Sequence, residues 1–236
     1  LTIDRVGFDK EMERQRKLSK AASQFVAATR VDLSDELATE FVGYKALKQA
    51  AAPILNLLAN NKSSVGELSE GEEGFIILAK TPFYAQGGGQ IGDTGYLLNA
   101  TSQFLVTQTF KEGAFILHQG KLLKGHLKKG DKLKAEVDVE KRRAITLNHS
   151  ATHLLHAALR EVLGGHVMQK GSLVEPERLR FDFSHPDLLS TEQLKIIEDR
   201  VNQQIRANLP VLTQIMSREE ARQTGALAMF GEKYAD

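Results

Sequence analysis

Three histidines follow one another closely in the second half of the sequence: His149, His153 and His156. They lie in a stretch from about Lys141 to Leu163 that we predict to be a helix. His149 and His153, at positions i and i+4, place two imidazoles one turn apart, as a helix does when it offers two nitrogen ligands to Zn²⁺. A chance pair is common in a chain with seven histidines, so the pair alone favours a polar helix face over a metal site.

Apolar residues of the same helix recur at spacings of three and four, which predicts that they face the core. They are Leu147, Ala151, Leu154, Ala158 and Val162. The three histidines lie about 200° further round the helix, so we expect them on a cleft or solvent face. A metalloprotease needs Glu directly after the first His, where this sequence has Ser150.

The segment from Thr81 to Gly95 contains three successive glycines, Gly87, Gly88 and Gly89, between two predicted strands. Successive glycines let the backbone approach a ligand closely and direct several N–H groups at one oxygen. They serve a tight barrel corner or bulge equally well. The segment is not a P-loop, because no Gly-Lys-Ser/Thr follows, and it is not a dinucleotide fingerprint, because a strand follows where a helix is required.

Composition excludes several classes of protein. The net charge of +1 gives no overall attraction to nucleic acid or membrane. From Lys121 to Arg143 there are nine Lys or Arg against four Asp or Glu, and Lys141-Arg142-Arg143 is the part most suggestive of phosphate contact. Without interleaved aromatic residues this patch is weak support for RNA binding.

The absence of Cys excludes disulfides, so a metal must be bound by His, Asp or Glu. No signal peptide or membrane span is present, so we expect a cytoplasmic protein without a membrane partner.

The order of predicted elements is that of an α+β protein. A polar helix from about Phe8 to Thr29 comes first. Short β-rich runs follow and predict a small barrel or sandwich; they are Ile54–Leu58, Phe75–Ala79, Gly95–Leu98, Phe104–Thr109, Ala114–Leu117 and Lys134–Val139. After the histidine helix come an extended pair, around residues 167–174 and 179–184, and a helix from about Thr191 to Ala207. That last helix has a capping box at Ser190 and Gln193 and an apolar stripe of Leu194, Ile197, Val201 and Ile205. Ser217 and Glu220 predict the start of a further short helix, which Gly225 should end.

Several blocks, taken in order, resemble the editing region of bacterial alanyl-tRNA synthetases over essentially the whole chain. These blocks are Gly7-Phe8 with the helix after it, Phe41-Val42-Gly43-Tyr44, Thr81-Pro82-Phe83-Tyr84-Ala85, Gly88-Gly89-Gln90-Ile91-Gly92-Asp93, Asn148-His149-Ser150-Ala151-Thr152-His153-Leu154, Gln169-Lys170-Gly171-Ser172-Leu173, Arg180-Phe181-Asp182-Phe183-Ser184-His185 and Phe230-Gly231-Glu232-Lys233-Tyr234. The resemblance implies a small β-barrel subdomain followed by an α+β editing core, of the type that threonyl- and alanyl-tRNA synthetases carry as a second additional domain. The implied boundaries are a helical tail of the tRNA-recognition domain over residues 1–30, the barrel over 31–140 and a truncated editing core over 141–236. Because the sequence begins without Met and stops without a tail-like segment, we expect it to be part of a longer protein.

The resemblance also implies a function: hydrolysis of tRNA(Ala) mischarged with serine or glycine. In that family His149 and His153 are zinc ligands, completed by a Cys and a His from a downstream Cys-x-x-x-His element that this sequence lacks. Gln169, Gly88, Gly89 and Gln90 would be the catalytic residues, with Gln169 in the same pocket as the two histidines and the glycine N–H groups facing it. Gln86 departs from the family's usual Glu-Ser, which makes any role for Gln86 doubtful. The parent enzyme would ligate alanine to tRNA(Ala) with ATP and Mg²⁺, which belong to its synthetic domain.

Two alternatives stay open on the sequence alone. A free-standing alanyl-tRNA deacylase shares the glycine loop and the paired histidines, although the N-terminal helix argues against it. A non-catalytic RNA-binding module is the second. With two ligands in the family's positions, we expect this chain to bind zinc weakly or not at all.

Overall fold

The computed structural model describes residues 4–22 and 38–224, and these ranges contain four helices and thirteen strands. The helices are α1 (Arg5–Ala22), α2 (Val139–Leu163), α3 (Thr191–Ala207) and α4 (Arg218–Gln223). The strands are β1 (Glu40–Phe41), β2 (Lys48–Ala59), β3 (Ser64–Val65), β4 (Glu67–Ser69), β5 (Glu73–Leu78), β6 (Lys80–Thr81), β7 (Gly95–Leu98), β8 (Gln103–Glu112), β9 (Phe115–Lys124), β10 (His126–Lys128), β11 (Lys132–Val137), β12 (Gln169–Val174) and β13 (Leu179–Phe183). In this described part no helix is both long enough and apolar enough to span a membrane.

Six strands form a closed antiparallel barrel in the order β2, β5, β9, β8, β7 and β11. The barrel closes because β11 pairs with β2 as well as with β7. Closure leaves none of the six strands as a free edge. The predicted small barrel followed by an α+β core is therefore confirmed as the fold class.

Alternation of apolar and polar residues explains how the barrel strands bury one face. Along β11 the side chains of Leu133, Ala135 and Val137 are buried while their neighbours face outwards. The interior that these strands enclose is apolar, with Leu57, Ile76, Leu97 and Phe104 fully buried in it. A polar exception, His118 on β9, is fully buried. Its Nδ1 lies 2.8 Å from the carbonyl oxygen of Ile76 and its Nε2 lies 2.7 Å from Thr81 Oγ1, so both ring nitrogens are satisfied.

The chain divides into two compact units, and the division does not follow the sequence order. The barrel unit comprises residues 1–84 and 94–137, whereas the second unit comprises residues 85–93 together with 138–236. The glycine loop, residues 85–93, therefore belongs to the unit that contains α2, although it connects two segments of the barrel unit in sequence.

The second unit is built from α2, α3 and the hairpin of β12 and β13, which pair antiparallel. Its core is small and contains Ala158, Leu159, Val167 and Ile197. The predicted helices and the extended pair are confirmed, and α3 has the bounds expected from its sequence. The reciprocal hydrogen bonds of Ser190 and Gln193 begin α3, and Asn208 ends it in the left-handed conformation with φ 46°.

The predicted inner face of α2 is wrong in part, since Ala158 is buried as predicted but other members of the stripe are not. Leu147 is 64% exposed, whereas Arg142, Ile145, Thr152, His156 and Leu159 are buried. These buried residues are separated by three, seven, four and three positions, so the helical period was correct but much of the buried face was assigned wrongly. The predicted buried stripe of α3 is also wrong in part. Leu194 and Ile205 are each 52% exposed, and only Ile197 of the four residues is buried.

Two further predictions concern residues at the limits of the described ranges. The N-terminal helix is confirmed as far as Ala22, and its predicted continuation to Thr29 lies outside the described residues. The short helix predicted from Ser217 and Glu220 is present as α4. Ser217 Oγ accepts a hydrogen bond from the Glu220 N–H at 3.3 Å. Its predicted end at Gly225 lies outside the described residues.

Candidate functional site

The glycine loop is a tight hairpin turn. Gly87 N–H donates to the Gln90 carbonyl at 3.1 Å, and Gln90 N–H donates to the Gly87 carbonyl at 3.0 Å. The two residues between them, Gly88 and Gly89, have φ values of 57° and 79°. Positive φ at both central residues is what a two-residue turn of type I′ requires, and glycine adopts it without steric cost.

The turn packs directly on β12. Gly89 accepts a hydrogen bond from Val174 N–H at 2.8 Å, and Ile91 N–H donates to the Val174 carbonyl at 3.2 Å. A Cβ at Gly89 would lie 2.8 Å from both Cβ and the carbonyl oxygen of Ser172, whereas a Cβ at Gly88 would meet nothing within 4 Å. Gly89 is thus required for close packing, and Gly88 borders open space.

A buried ion pair ties the end of the loop to α2. Arg142 Nε donates to Asp93 Oδ1 at 2.8 Å and to Asp93 Oδ2 at 3.0 Å, and Arg142 Nη2 contacts the same carboxylate. The Asp93 side chain is 1% exposed. Arg142 is therefore not available for the phosphate contact suggested by the Lys141-Arg142-Arg143 cluster.

His149 on α2 is joined to the loop by a side-chain hydrogen bond. Its Nδ1 lies 2.7 Å from Gln90 Oε1. An amide oxygen only accepts, so a hydrogen bond at this contact requires the proton on Nδ1. Burial lowers the pKa of His149, and the charge of His153 lowers it further, so the neutral imidazole is favoured.

The three histidines of α2 differ in their surroundings, contrary to the expectation that they share an outward face. His153 is exposed, and its ring stacks on that of His149 with centroids 5.1 Å apart and planes 13° apart. His156 is instead buried beside Phe181, with ring centroids 5.1 Å apart. Burial lowers the pKa of His156, and its Nε2 has no hydrogen-bond partner among residues 4–22 and 38–224.

The histidine pair fits part of a zinc site. His149 Nδ1 faces an amide oxygen at hydrogen-bond distance, as does the nitrogen that faces away from the metal in most zinc-bound histidines. Within the described ranges, however, no group of three or more His, Cys, Asp or Glu is placed to hold a metal ion. The described residues therefore offer two imidazole ligands and no third protein ligand.

Gln169 lies at the first position of β12, where it pairs with Phe183. Val174, which pairs with Gln90, is at the other end of that strand. Gln90 of the loop therefore pairs with the last residue of β12, whereas Gln169 is the first residue of that strand. That Gln169 lines the same pocket as His149 and His153 stays a prediction.

The sequence analysis named Asp93, Arg142 and Asn148 within motifs but did not predict the contacts by which they hold this arrangement together. Asp93 and Arg142 form the ion pair described above across 49 residues of sequence. Asn148 donates from Nδ2 to the carbonyls of Glu175 and Pro176 at 2.7 and 3.1 Å and so fixes the chain just after β12. Each partner is remote in sequence, and only the position of Asn148 directly before His149 gave a local signal.

The chain belongs to the family of class II (A) tRNA synthetases. The sequence model of that family matches residues 1–141. That range contains the barrel and the glycine loop and ends at the start of α2.

Individual relatives are similar to the chain throughout its length. It is 50% identical to the alanine–tRNA ligase of Pseudomonas fluorescens and 50% identical to that of Nitrosococcus oceani, with 100% of the chain covered in both comparisons. It is 52% identical to the alanine–tRNA ligase of Coxiella burnetii over 98% of its length. The chain spans about a quarter of the length of these relatives, 27%, 27% and 26% respectively.

Proposed function

We propose that this chain is the editing part of an alanine–tRNA ligase and hydrolyses the ester that joins serine or glycine to the terminal adenosine of tRNA(Ala). The observation that carries the proposal is the 2.7 Å hydrogen bond between Gln90 and His149, which joins the two most distinctive motifs of the sequence. The similarity to alanine–tRNA ligases over the whole chain supports the same assignment.

The need for such an activity follows from the chemistry of the amino acids. A site built for alanine rejects glycine or serine by only about 1–3 kcal/mol, because one is smaller and the other adds a single hydroxyl. A second, hydrolytic site removes the errors. In the parent enzyme the synthetic domain, with ATP and Mg²⁺, would charge tRNA(Ala) in the cytoplasm, and this segment would clear the wrong products.

The reaction is the attack of water on the ester carbonyl, followed by cleavage of the bond to the ribose oxygen. The products are the free amino acid and the tRNA with its terminal hydroxyl restored. Gly88 and Gly89 have backbone N–H groups without an acceptor in the described part of the chain, so they are available to bind the ribose or the developing oxyanion. Gln169 is proposed to accept or donate a hydrogen bond to the seryl hydroxyl.

His149 and His153 would hold zinc together with ligands from outside the described residues. Bound there, zinc would supply either a lowered pKa for the attacking water or an anchor for the amine of the amino acid. The neutral state of His149, favoured by its lowered pKa, suits it for either arrangement.

The test is hydrolysis of tRNA(Ala) carrying serine, glycine or alanine by the complete ligase that contains this segment. We expect rapid release of serine and glycine and little release of alanine. An upstream alanine-activating domain in the same gene distinguishes the ligase from a free-standing deacylase. Binding of tRNA without hydrolysis of either mischarged ester would instead identify a non-catalytic RNA-binding module.

A further inference from the structure

We propose that Gln90 is a positioning residue that holds His149 in the Nδ1–H tautomer and thereby presents Nε2 as the free nitrogen of the site. The effect on catalysis rests on the proposed function, whereas the tautomer is a property of the protein itself. The inference starts from the 2.7 Å contact between His149 Nδ1 and Gln90 Oε1.

Gln90 is held more firmly than an ordinary surface glutamine. It is 5% exposed, and its backbone makes both hydrogen bonds of the turn with Gly87. It also forms a bridge with Val174 of β12. The two hydrogen bonds and the bridge fix the backbone of Gln90. Because its side chain is also buried, Oε1 is held in position towards His149.

His149 is held equally well on the other side of the contact. It lies within α2 directly after Asn148, which binds the carbonyls after β12, and seven residues after Arg142, which binds Asp93. The stacked ring of His153 limits rotation of the imidazole. Both partners of the hydrogen bond are therefore fixed to the same frame of helix, loop and strand.

The tautomer follows from the chemistry of the two groups. An amide oxygen is only an acceptor, so the ring nitrogen facing it must carry the proton. A neutral histidine free in water prefers the opposite arrangement, with the proton on Nε2. The loop therefore imposes the less common tautomer, in which Nε2 has the lone pair that can take a metal or accept a proton.

The direct experiment is long-range proton–nitrogen NMR on the metal-free 236-residue chain with ¹⁵N-labelled histidine, at a pH where the ring is neutral. The His149 signals are assigned from their loss in His149→Asn. We expect a protonated Nδ1 and an unprotonated Nε2 in the wild-type chain. A wild-type His149 protonated on Nε2 overturns the proposal.

Substitutions then test whether Gln90 is the cause. Gln90→Leu removes the acceptor, and we expect the proton to shift mainly to Nε2. Gln90→Glu keeps an oxygen acceptor and should keep the Nδ1–H tautomer. Gln86→Leu is the matched control, because Gln86 is an exposed glutamine at the start of the same loop, and it should leave His149 unchanged. An unchanged tautomer in Gln90→Leu contradicts the proposal.

Activity separates this proposal from the proposed function. In the complete ligase, Gln90→Leu should lower kcat for hydrolysis of serine from tRNA(Ala) about 10–100-fold, as the loss of a group that orients a ligand or base usually does. KM should change little, since Gln90 is not proposed to bind the tRNA. If the tautomer shifts while hydrolysis is unaffected, the positioning role stands and the assignment of His149 to the hydrolytic site fails.

Discussion

Asp93, the last residue of the glycine loop, and Arg142, in the first turns of α2, form a buried ion pair with two Nε contacts of 2.8 and 3.0 Å. The pair holds the loop against the helix seven residues before His149. Because both side chains are largely removed from water, each depends on the other to satisfy its charge.

Removing one member of this pair should destabilise the second unit strongly. We expect Asp93→Asn and Arg142→Met each to lower the free energy of unfolding by about 3–5 kcal/mol, because the remaining charge is left buried without its partner. Urea unfolding followed by circular dichroism measures this.

The matched control for that prediction is Arg143→Met, an exposed neighbour whose loss should cost no more than about 0.5 kcal/mol. The double variant should be less destabilised than the sum of the two single variants. Single variants that each lose under about 1 kcal/mol would show that the pair does not hold the loop.

Gly88 and Gly89 should respond differently to alanine. Gly89→Ala combines an unfavourable φ with a clash against the Ser172 backbone, so we expect a stability loss of about 2–4 kcal/mol. Gly88→Ala meets no atom and should cost only about 1 kcal/mol for its left-handed φ. Thermal or urea unfolding of the two variants distinguishes them.

Gly88→Ala should nevertheless reduce deacylation of mischarged tRNA(Ala) far more than it reduces stability, because the methyl group enters the space beside the free N–H groups. Deacylation and unfolding are compared on the same protein preparation. Losses of similar size in both measurements would favour a plain turn without a role in the reaction.

His118 should make the barrel sensitive to acid. Its burial lowers its pKa from 6.5 to about 4 in the folded protein. Between these values the unfolded chain binds the proton more readily, so stability is complete above about pH 6.5 and falls as the pH decreases towards 4. We expect this group alone to contribute a loss of about 2–3 kcal/mol between pH 7 and pH 4.5.

The measurement is the difference in pH dependence between the wild type and His118→Gln, since carboxylates also titrate in this range. The variant should lose less stability on acidification than the wild type by that amount. His126→Gln, which changes an exposed histidine on β10, should follow the wild type. Equal pH dependence of the wild type and His118→Gln would mean that His118 is not buried as a neutral ring.

Zinc binding by the isolated 236-residue chain should be weak. The described residues provide His149 and His153 as a pair without a third protein ligand, and stable protein zinc sites use three or four. Metal analysis after purification without added zinc should find much less than one equivalent. One full equivalent that disappears in His149→Ala would show that other residues of this chain complete the site.

The sequence predicted those parts of the fold that local signals determine. The bounds of α3 were predicted because Ser190 and Gln193 form a capping box next to a helical pattern, and strand β7 was predicted because Gly95 and Asn99 flank a short apolar run. Several short strands in succession predicted a small barrel or a sandwich, and the pairing of β11 with β2 makes it a closed barrel.

The buried face of α2 could not be predicted in the same way, because much of it is polar. Arg142 is buried only because Asp93 supplies its counter-charge from 49 residues away, and His149 is partly covered by the loop that carries Gln90. Apolar periodicity is insensitive to such residues, so the exposed Leu147 was assigned to the core instead. The histidine pair and the glycine loop were recognised separately, and the hydrogen bond that joins them required the tertiary structure.

The role of His149 in hydrolysis is tested most directly by the single-turnover rate at which the complete ligase releases serine from tRNA(Ala), compared between the wild type, His149→Ala and His166→Ala. His166 is an exposed histidine of the same unit and serves as the matched control. We predict that His149→Ala lowers this rate at least about 100-fold while charging with alanine continues, and that His166→Ala has the wild-type rate. Release of serine by His149→Ala at the wild-type rate would contradict this role of His149.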